Sequence, residues 1–260
     1  GYLLKAQQIA VIGICAAVYA VIGRVTDLGL TFLGVAFYPA VVVPAVFAVL
    51  FGPWVGAFGG GIGIFIRDML FHGNALLSLT VGVPANFLLF FIIGYVSGQD
   101  IDMRKMIVSV VVAATVITIG LLLPTFLLPT EFAGYTGLST IDIVIVFVFT
   151  VVLSMVAILA VSKKWVEWRS FAVGSVIGQA LGAALLSVSL WAYSQVFASP
   201  TGYIKSSIAA TYVPIVFVWT FATEIPFILL VGPPIIKACQ KAFPSLVQQP
   251  KTSKKGGAVA

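Results

Sequence analysis

The sequence predicts an all-α protein, a polytopic bundle of about eight transmembrane helices with both termini in the cytoplasm. Three observations predict this fold. Of the 260 residues, 61% are hydrophobic and only 8% are charged, against about 25% charged residues in a soluble domain. The mean hydropathy is +1.16. The charged residues fall mainly in the gaps between eight apolar stretches, and most of the positive charge occupies every second gap.

Most of the apolar stretches have the length of a membrane-crossing helix, which is about 20 residues. The second and third are short and meet at Phe51-Gly52-Pro53-Trp54, so this pair also fits a tight helical hairpin. Residues 1–249 are predicted to form one transmembrane domain, and the polar, basic residues 250–260 a disordered cytoplasmic tail. In order, the stretches are 6–24, 34–51, 54–70, 76–98, 106–129, 141–162, 171–197 and 207–236.

The distribution of lysine and arginine predicts the orientation. If the N-terminus is cytoplasmic, the outer gaps hold only Arg24, Arg67 and Lys205, and the remaining eleven fall inside. Positive residues concentrate in cytoplasmic loops, so both termini are expected there. The net charge of +6 therefore indicates orientation and contact with anionic lipid rather than nucleic acid. The inside residues are Lys5, Arg104, Lys105, Lys163, Lys164, Arg169, Lys237, Lys241, Lys251, Lys254 and Lys255.

The composition disfavours an enzyme. The single histidine, His72, cannot form a multi-histidine metal site or supply two axial haem ligands. The sequence has no phosphate-binding loop of the GxxxxGK[ST] type, so any nucleotide hydrolysis must come from a partner. No Ser/His/Asp or Cys/His grouping suggests hydrolysis within the membrane. We therefore predict no catalytic residue, no metal and no cofactor.

Small residues predict where helices touch. In lipid, helices associate by close packing, which small side chains permit. Two glycine ladders, with glycines four residues apart, predict packing inside the bundle. The ladder of the third stretch comprises Gly52, Gly56 and Gly60, overlapping with Gly59 and Gly63, and that of the seventh comprises Gly174, Gly178 and Gly182. The small face of the first helix is instead predicted to dock another subunit, with internal packing as the alternative, because a terminal helix is easily left outside a bundle. The face comprises Ala6, Ala10, Gly13, Ala17 and Ala20, and Ala16 forms an AxxxA pair with Ala20.

Two polar residues at membrane depth are candidates for a binding site. Glu224 is the only acidic residue well inside an apolar stretch, and a charged carboxylate there costs about 2.5 to 3.5 kcal/mol. It should face the bundle interior, a cavity or a partner, or be protonated. Asn86 lies in the fourth stretch after Pro84. A structural interhelical hydrogen bond remains the alternative for both residues.

Further candidates lie near the predicted outer side. Arg67, Asp68, His72 and Asn74 are predicted to share a short loop above the glycine-rich third helix, where a solute lid would sit, although an isolated Arg67–Asp68 surface pair would stabilise little. Aromatic residues of the last two helices could stack on a planar ligand or belong to the interfacial aromatic belt. The predicted solute-binding residues are Asn86, His72, Asn74, Trp191, Tyr212 and Glu224.

The run from Leu50 to Asp68 resembles a known family. Its Gly-Pro-x-x-Gly motif, followed by a glycine-rich helix that ends near an aspartate, is similar to the hairpin between the second and third helices of the substrate-binding S components of energy-coupling factor (ECF) transporters. The AxxxA of the first helix and the pattern from Ser78 to Asn86 followed by Gly94 are similar too. The resemblance covers residues 6–98.

This resemblance implies a membrane subunit that captures a vitamin or a metal ion in an outward pocket. It also implies a first-helix face that docks onto a transmembrane coupling protein driven by two ATPases. The chain departs from the family in size, because six helices are usual there and eight stretches are present here. Two of them are therefore extra, or the second half is built differently.

Two alternatives remain open. Thr80-Val-Gly-Val-Pro84 and Thr211-Tyr-Val-Pro214 echo each other, which fits a parallel four-plus-four repeat of a transporter. The chain also fits a non-catalytic structural subunit of a larger membrane complex. An outward cavity lined by the predicted binding residues would favour solute capture, whereas a filled interior would favour the structural role.

Overall fold

The computed structural model describes residues 5–128 and 138–250 of the chain. Within these ranges it contains eight helices and one small antiparallel hairpin, formed by β1 (Thr31–Phe32) and β2 (Val35–Ala36). Short 3-10 turns precede α2, α7 and α8. The helices are α1 (Ala6–Thr26), α2 (Val42–Phe51), α3 (Pro53–Phe71), α4 (Ala75–Ser97), α5 (Met103–Leu127), α6 (Thr140–Lys164), α7 (Arg169–Phe197) and α8 (Val213–Ala242).

The predicted membrane fold is confirmed. Each of the eight predicted stretches contains a helix, and seven helices of the described ranges are long and apolar enough to cross a membrane. Because successive helices alternate in direction, the bundle has two ends. The hairpin end carries β1, β2 and residues 198–209, and the terminal end carries Lys5 and residues 243–250. The predicted disordered tail, from residue 251 onward, lies outside the described residues.

The second predicted stretch is partly wrong. It was expected to be helical from residue 34, but its helical turns begin only at Pro39. The residues before Pro39 form the β-hairpin, whose turn places Leu33 and Gly34 at φ values of 47° and 83°. This left-handed backbone is incompatible with a helix. The helix α2 is thus shorter than predicted. It meets α3 at Gly52, whose φ of 103° permits the tight turn between them.

The centre of the bundle is α3. It packs against α1 on one side and against α4 on the other, while α4 in turn packs against α7 and α7 against α8. The short α2 lies among α3, α4 and α8. The pair α5 and α6 packs on α7 and α8 and is the least buried pair of the long helices. Six helices therefore form a compact core, and α5 and α6 lie at its side.

Glycines allow the closest approaches in this core, as predicted. A Cβ added at Gly94 in α4 would lie 2.6 Å from the backbone Cα of Pro53, and one added at Gly59 in α3 would lie 2.6 Å from Cys15 Sγ. In the seventh helix, a Cβ at Gly178 would lie 3.0 Å from the Leu89 carbonyl oxygen. These contacts are internal, so both glycine ladders serve packing within the bundle.

Candidate functional site

A buried arginine organises the hairpin end of the bundle. Arg67 lies in the last turns of α3 and is 3% exposed. Its Nη2 donates to Asp27 Oδ2 at 2.9 Å, and its Nη1 donates to Asp68 Oδ1 at 3.4 Å. Its guanidinium carbon lies 4.2 Å from the ring centre of Phe71 and 5.1 Å from that of Tyr38. The guanidinium group is thus held between two carboxylates and two aromatic faces.

This arrangement corrects the predicted loop. Because α3 continues to Phe71, Arg67 and Asp68 lie on a helix, and their pair is buried rather than on the surface. Asp27, which follows α1, completes the group. Burial acts to raise the pKa of Asp27, but the Gly29 N–H, which donates at 2.9 Å, and the Arg67 guanidinium together hold this pKa below its usual value. Asp27 is therefore ionised at neutral pH.

Asp68 connects this group to α4 and to His72. Ser78 Oγ, in the first turns of α4, donates to Asp68 Oδ2 at 2.7 Å, and His72 Nε2 lies 3.8 Å from Asp68 Oδ1. His72 Nδ1 accepts a hydrogen bond from the Asn74 N–H at 3.0 Å. Burial lowers the pKa of His72, an effect that nearby Asp68 opposes and Arg67 reinforces. The ring is therefore neutral, with its proton on Nε2.

The start of α4 has an unusual backbone where Ser78 contacts Asp68. Residues Ser78–Gly82 form a π-helical turn, and such turns inside α-helices occur frequently at functional sites. A Cβ added at Gly82 would lie 2.8 Å from Asp68 Oδ2. The glycine therefore lets α4 approach the Asp68 carboxylate closely.

Asn86 lies on the same helix, about one turn beyond the π-helical segment. Its Oδ1 accepts a hydrogen bond from Tyr19 Oη at 2.6 Å, and its Nδ2 donates to the Gly82 carbonyl at 2.8 Å. Tyr19 comes from α1 and is fully buried. Asn86 thus makes the interhelical bond that the sequence left as an alternative, and its position is fixed.

Glu224 lies in the middle of α8, where it is 8% exposed. Its Oε2 accepts a hydrogen bond from Gln179 Nε2 on α7. No salt bridge involves Glu224 in the part of the chain that the structure describes. Gln179 Oε1 is buried and has no hydrogen-bond partner among these residues. The carboxyl group therefore faces the bundle interior, as the sequence predicts.

These groups surround a cavity of about 80 Å³. Its polar lining consists of Tyr38, Arg67, Asp68, His72, Asn86 and Glu224, and much of its apolar lining comes from Leu77, Val81, Leu186 and Leu190. Another cavity, about 40 Å³, lies between α5, α6, α7 and α8 and is lined by apolar side chains together with Thr150 and Ser154. The larger cavity is the candidate site, because only there do charged groups converge.

Loops of the hairpin end cover this cavity. Residues 34–36 and Ile204 contribute to its lining. Tyr203 Oη donates to the Gly34 carbonyl at 2.9 Å, and Trp219 Nε1 donates to the Val35 carbonyl at 3.1 Å. The β-hairpin is thereby fastened to the loop before α8 and to α8 itself.

The structure brings three of the six predicted binding residues to this cavity, namely His72, Asn86 and Glu224. Asn74 lies beside it, where its Oδ1 caps the first turn of α4 and its Nδ2 donates to Tyr193 Oη at 2.9 Å. Trp191 and Tyr212 do not line the cavity and pack in apolar clusters that α7 and α8 form with neighbouring elements.

Sequence reasoning missed Asp27, Gln179 and Tyr19 as parts of this site. Each is a polar residue in or next to an apolar stretch, and this position alone could have marked it as a candidate. Their partners, however, lie 40, 45 and 67 residues away, and no local pattern indicates such pairs.

The predicted docking residues of α1 lie on two sides of the helix. Ala16 and Ala20 are each 2% exposed and pack inside the chain, since α1 lies against α3. The other four, which are Ala6, Ala10, Gly13 and Ala17, are exposed. A Cβ added at Gly13 would meet no atom within 4 Å. The exposed small face is thus narrower than predicted.

Residues 7–138 match the family model of the ECF transporter substrate-specific component. This chain belongs to that family. The resemblance over residues 6–98 is confirmed and extends through α5, and the S component is a membrane transport subunit that binds the substrate. No curated protein and no solved structure matches the chain significantly. In this S component, Arg67, Asp68, His72 and Asn86 lie within the matched region, whereas Glu224 lies beyond it.

Proposed function

We propose that this S component captures a small, vitamin-sized solute from outside the cell membrane and passes it to a transmembrane coupling protein driven by ATPases. The solute occupies the cavity between α3, α4, α7 and α8. The chain itself hydrolyses no nucleotide. It supplies the recognition site, and its partners supply the energy.

The convergence of buried polar side chains on one cavity carries this proposal. Burying Arg67, Asp68, Asn86 and Glu224 is costly unless each finds a partner, and a purely structural bundle would fill such a space with apolar side chains. Ligand sites have the opposite composition, an apolar cavity with a few convergent polar groups. The cavity therefore favours solute capture over the structural-subunit alternative.

Charge supports the direction of capture. The described lysines and arginines concentrate at the terminal end, while Arg24, Arg67 and Lys205 lie at the hairpin end. The positive-inside rule then assigns the hairpin end to the outer side of the membrane. The cavity lies under the loops of that end, where an external solute arrives.

Solute capture is tested by filling the cavity. Purified protein is incubated with a small-molecule extract, washed and denatured, and the released compounds are identified by mass spectrometry. We expect a stoichiometric compound from the wild type and a loss of at least tenfold in Val81→Phe and Leu186→Phe, which place a ring in the cavity. Val112→Phe, on the exposed side of α5, is the matched control. Absence of any retained compound from the wild type would favour the structural role.

The exposed face of α1 supports docking of the coupling protein. Gly13 and Gly120 make a matched pair, because both are exposed helical glycines whose added Cβ meets no atom within 4 Å. Gly13→Leu should abolish co-purification with the coupling protein, since a bulky side chain holds the helices apart. Gly120→Leu should retain it. If both variants keep the partner, α1 faces lipid instead.

A further inference from the structure

The charges around the cavity are unbalanced. Arg67 is the one cationic side chain of its described lining, and it directs both Nη atoms at carboxylates, Asp27 and Asp68. Glu224 adds a third carboxyl group. Three acidic groups thus face one buried guanidinium group. Two of them engage both of its Nη atoms, while its buried Nε has no hydrogen-bond partner among the described residues.

His72 does not restore the balance. Its Nδ1 accepts the Asn74 N–H, so this nitrogen carries no proton and the imidazole is neutral. The other described cations of the hairpin end, Arg24 and Lys205, are exposed. Among the carboxylates of the described residues, Arg24 contacts Asp27 alone, at 3.4 Å, and its side chain is 46% exposed to solvent, which screens its charge.

Glu224 is the group left without a cation. Its described partner is the neutral amide of Gln179, and it lines the cavity while being 8% exposed. Burying a carboxylate is costly unless it is both paired with a cation and hydrogen-bonded, and among the described residues Glu224 has only the hydrogen bond. The apolar side chains of Leu186 and Leu190 line the same cavity, so a ligand there meets both an acidic group and an apolar wall.

We propose that the solute is a cation, an organic amine or amidine, whose positive group pairs with Glu224 while its apolar body packs against α7. This inference rests on the proposed function, because it assigns a substrate class to the same cavity. The solute completes the buried acidic site and supplies the charge that the chain itself lacks there. Anionic solutes are rejected by the carboxyl groups of Asp68 and Glu224.

The test uses three probes of the same shape and different charge, namely benzamidinium, benzamide and benzoate. Their dissociation constants are measured by thermal shift and calorimetry on the purified protein near neutral pH. We expect benzamidinium to bind at least tenfold more tightly than benzamide, and benzoate to be the weakest. Glu224→Gln should weaken benzamidinium at least tenfold and leave benzamide unchanged. Glu167→Gln, which removes an exposed carboxylate at the terminal end, should change none of the three.

The outcomes separate this inference from the proposed function. Equal binding of benzamidinium and benzamide, lost in Val81→Phe, would retain the cavity as a solute site and overturn the cationic class. Tighter binding of benzoate, or an unchanged benzamidinium affinity in Glu224→Gln, would also overturn it. If none of the three probes binds, the cationic class is overturned. Solute capture itself is then still decided by the extraction experiment, in which the wild type retains a compound or does not. A thermal midpoint of Glu224→Gln close to that of the wild type shows that the variant is folded.

Discussion

Arg67 Nη2 lies 2.9 Å from Asp27 Oδ2, and this buried bond joins the end of α3 to the segment that follows α1. Both side chains are less than 5% exposed. The pair fixes the chain where it leaves α1 for the β-hairpin, and that hairpin covers the cavity. The bond therefore stabilises the core and also holds in place the hairpin that covers the cavity.

Removing Asp27 should be strongly destabilising. In Asp27→Asn the Arg67 charge loses its closest carboxylate and keeps only Asp68, at 3.4 Å. Leaving a buried charge with no partner costs about 3 to 5 kcal/mol, so we expect a loss below that range but well above that of a surface pair. We expect a clear drop in the thermal midpoint in detergent. Arg24→Gln is the matched control, because its 3.4 Å pair with the same aspartate is half exposed and should contribute about 0 to 1 kcal/mol. Similar midpoints for the two variants would contradict a structural role of the buried bond.

His72 should make stability depend on pH. Burial lowers its pKa below the ordinary value of 6.5, so the unfolded chain binds the proton more readily than the folded protein. The contribution of the neutral ring is complete above about pH 6.5 and is lost as the pH falls toward the folded pKa. The thermal midpoint should therefore decrease between about pH 7 and pH 5. His72→Gln should show a smaller decrease, and a profile identical to that of the wild type would exclude His72 as its cause.

Glu224 should also contribute to the packing of α7 against α8. Glu224→Ala leaves the Gln179 amide buried without its partner, which costs about 1 to 3 kcal/mol. Glu224→Gln keeps the side-chain shape and an acceptor, so its thermal midpoint should stay close to that of the wild type. Thermal unfolding of both variants tests this difference. Equal midpoints of all three proteins would show that the Gln179–Glu224 bond contributes nothing to the fold.

The orientation can be tested by cysteine labelling in cells. Asp100 and Thr201 are exposed and lie at opposite ends of the bundle. In a background that lacks Cys15 and Cys239, Asp100→Cys should react with an impermeant reagent only after permeabilisation, whereas Thr201→Cys should react in intact cells. Labelling of Asp100→Cys from outside would reverse the assigned orientation.

Close contact at Gly94 should make this position intolerant of even one methyl group. The added Cβ of Gly94→Ala would lie 2.6 Å from the Pro53 backbone, and such overpacking costs about 1 to 3 kcal/mol. Gly120→Ala meets no atom within 4 Å and should be neutral or slightly stabilising, because alanine favours a helix over glycine. Thermal midpoints of the two variants provide the measurement. A stable Gly94→Ala protein would mean that α4 can move away from the α2–α3 turn.

Hydropathy predicted the helices well because the membrane imposes a length and an apolar surface on each of them. It failed before Pro39, since residues 34–38 are as apolar as a helix but form the hairpin and the segment after it. There the conformation is decided by the turn at Leu33 and Gly34 and by tertiary contacts such as the bond from Tyr203 to the Gly34 carbonyl. Composition alone cannot distinguish such a segment from a crossing.

Asn86 and Glu224 were predicted as site residues because a polar group at membrane depth is costly enough to need a specific environment. Their roles in solute binding remain predictions. The aromatic residues were harder to assign, since Trp191 and Tyr212 serve equally well in a belt, a core or a stacking site, and the structure places them in apolar clusters. Asp27 was missed because its role is to pair with Arg67, and only the folded chain brings these two residues together.

The helix α2 is only about half as long as a membrane-crossing helix, and this affects the surroundings of a bound solute. Its three-residue 3-10 turn and ten-residue helix rise roughly 20 Å together, short of the roughly 30 Å of the hydrocarbon layer. The remaining depth is taken up by the non-helical chain before Pro39. Irregular backbone at that depth is tolerated where protein covers it or where it borders a water-filled space. Because residues 34–36 of that segment line the cavity, a bound solute would contact irregular backbone on one side and the carboxyl groups on the other.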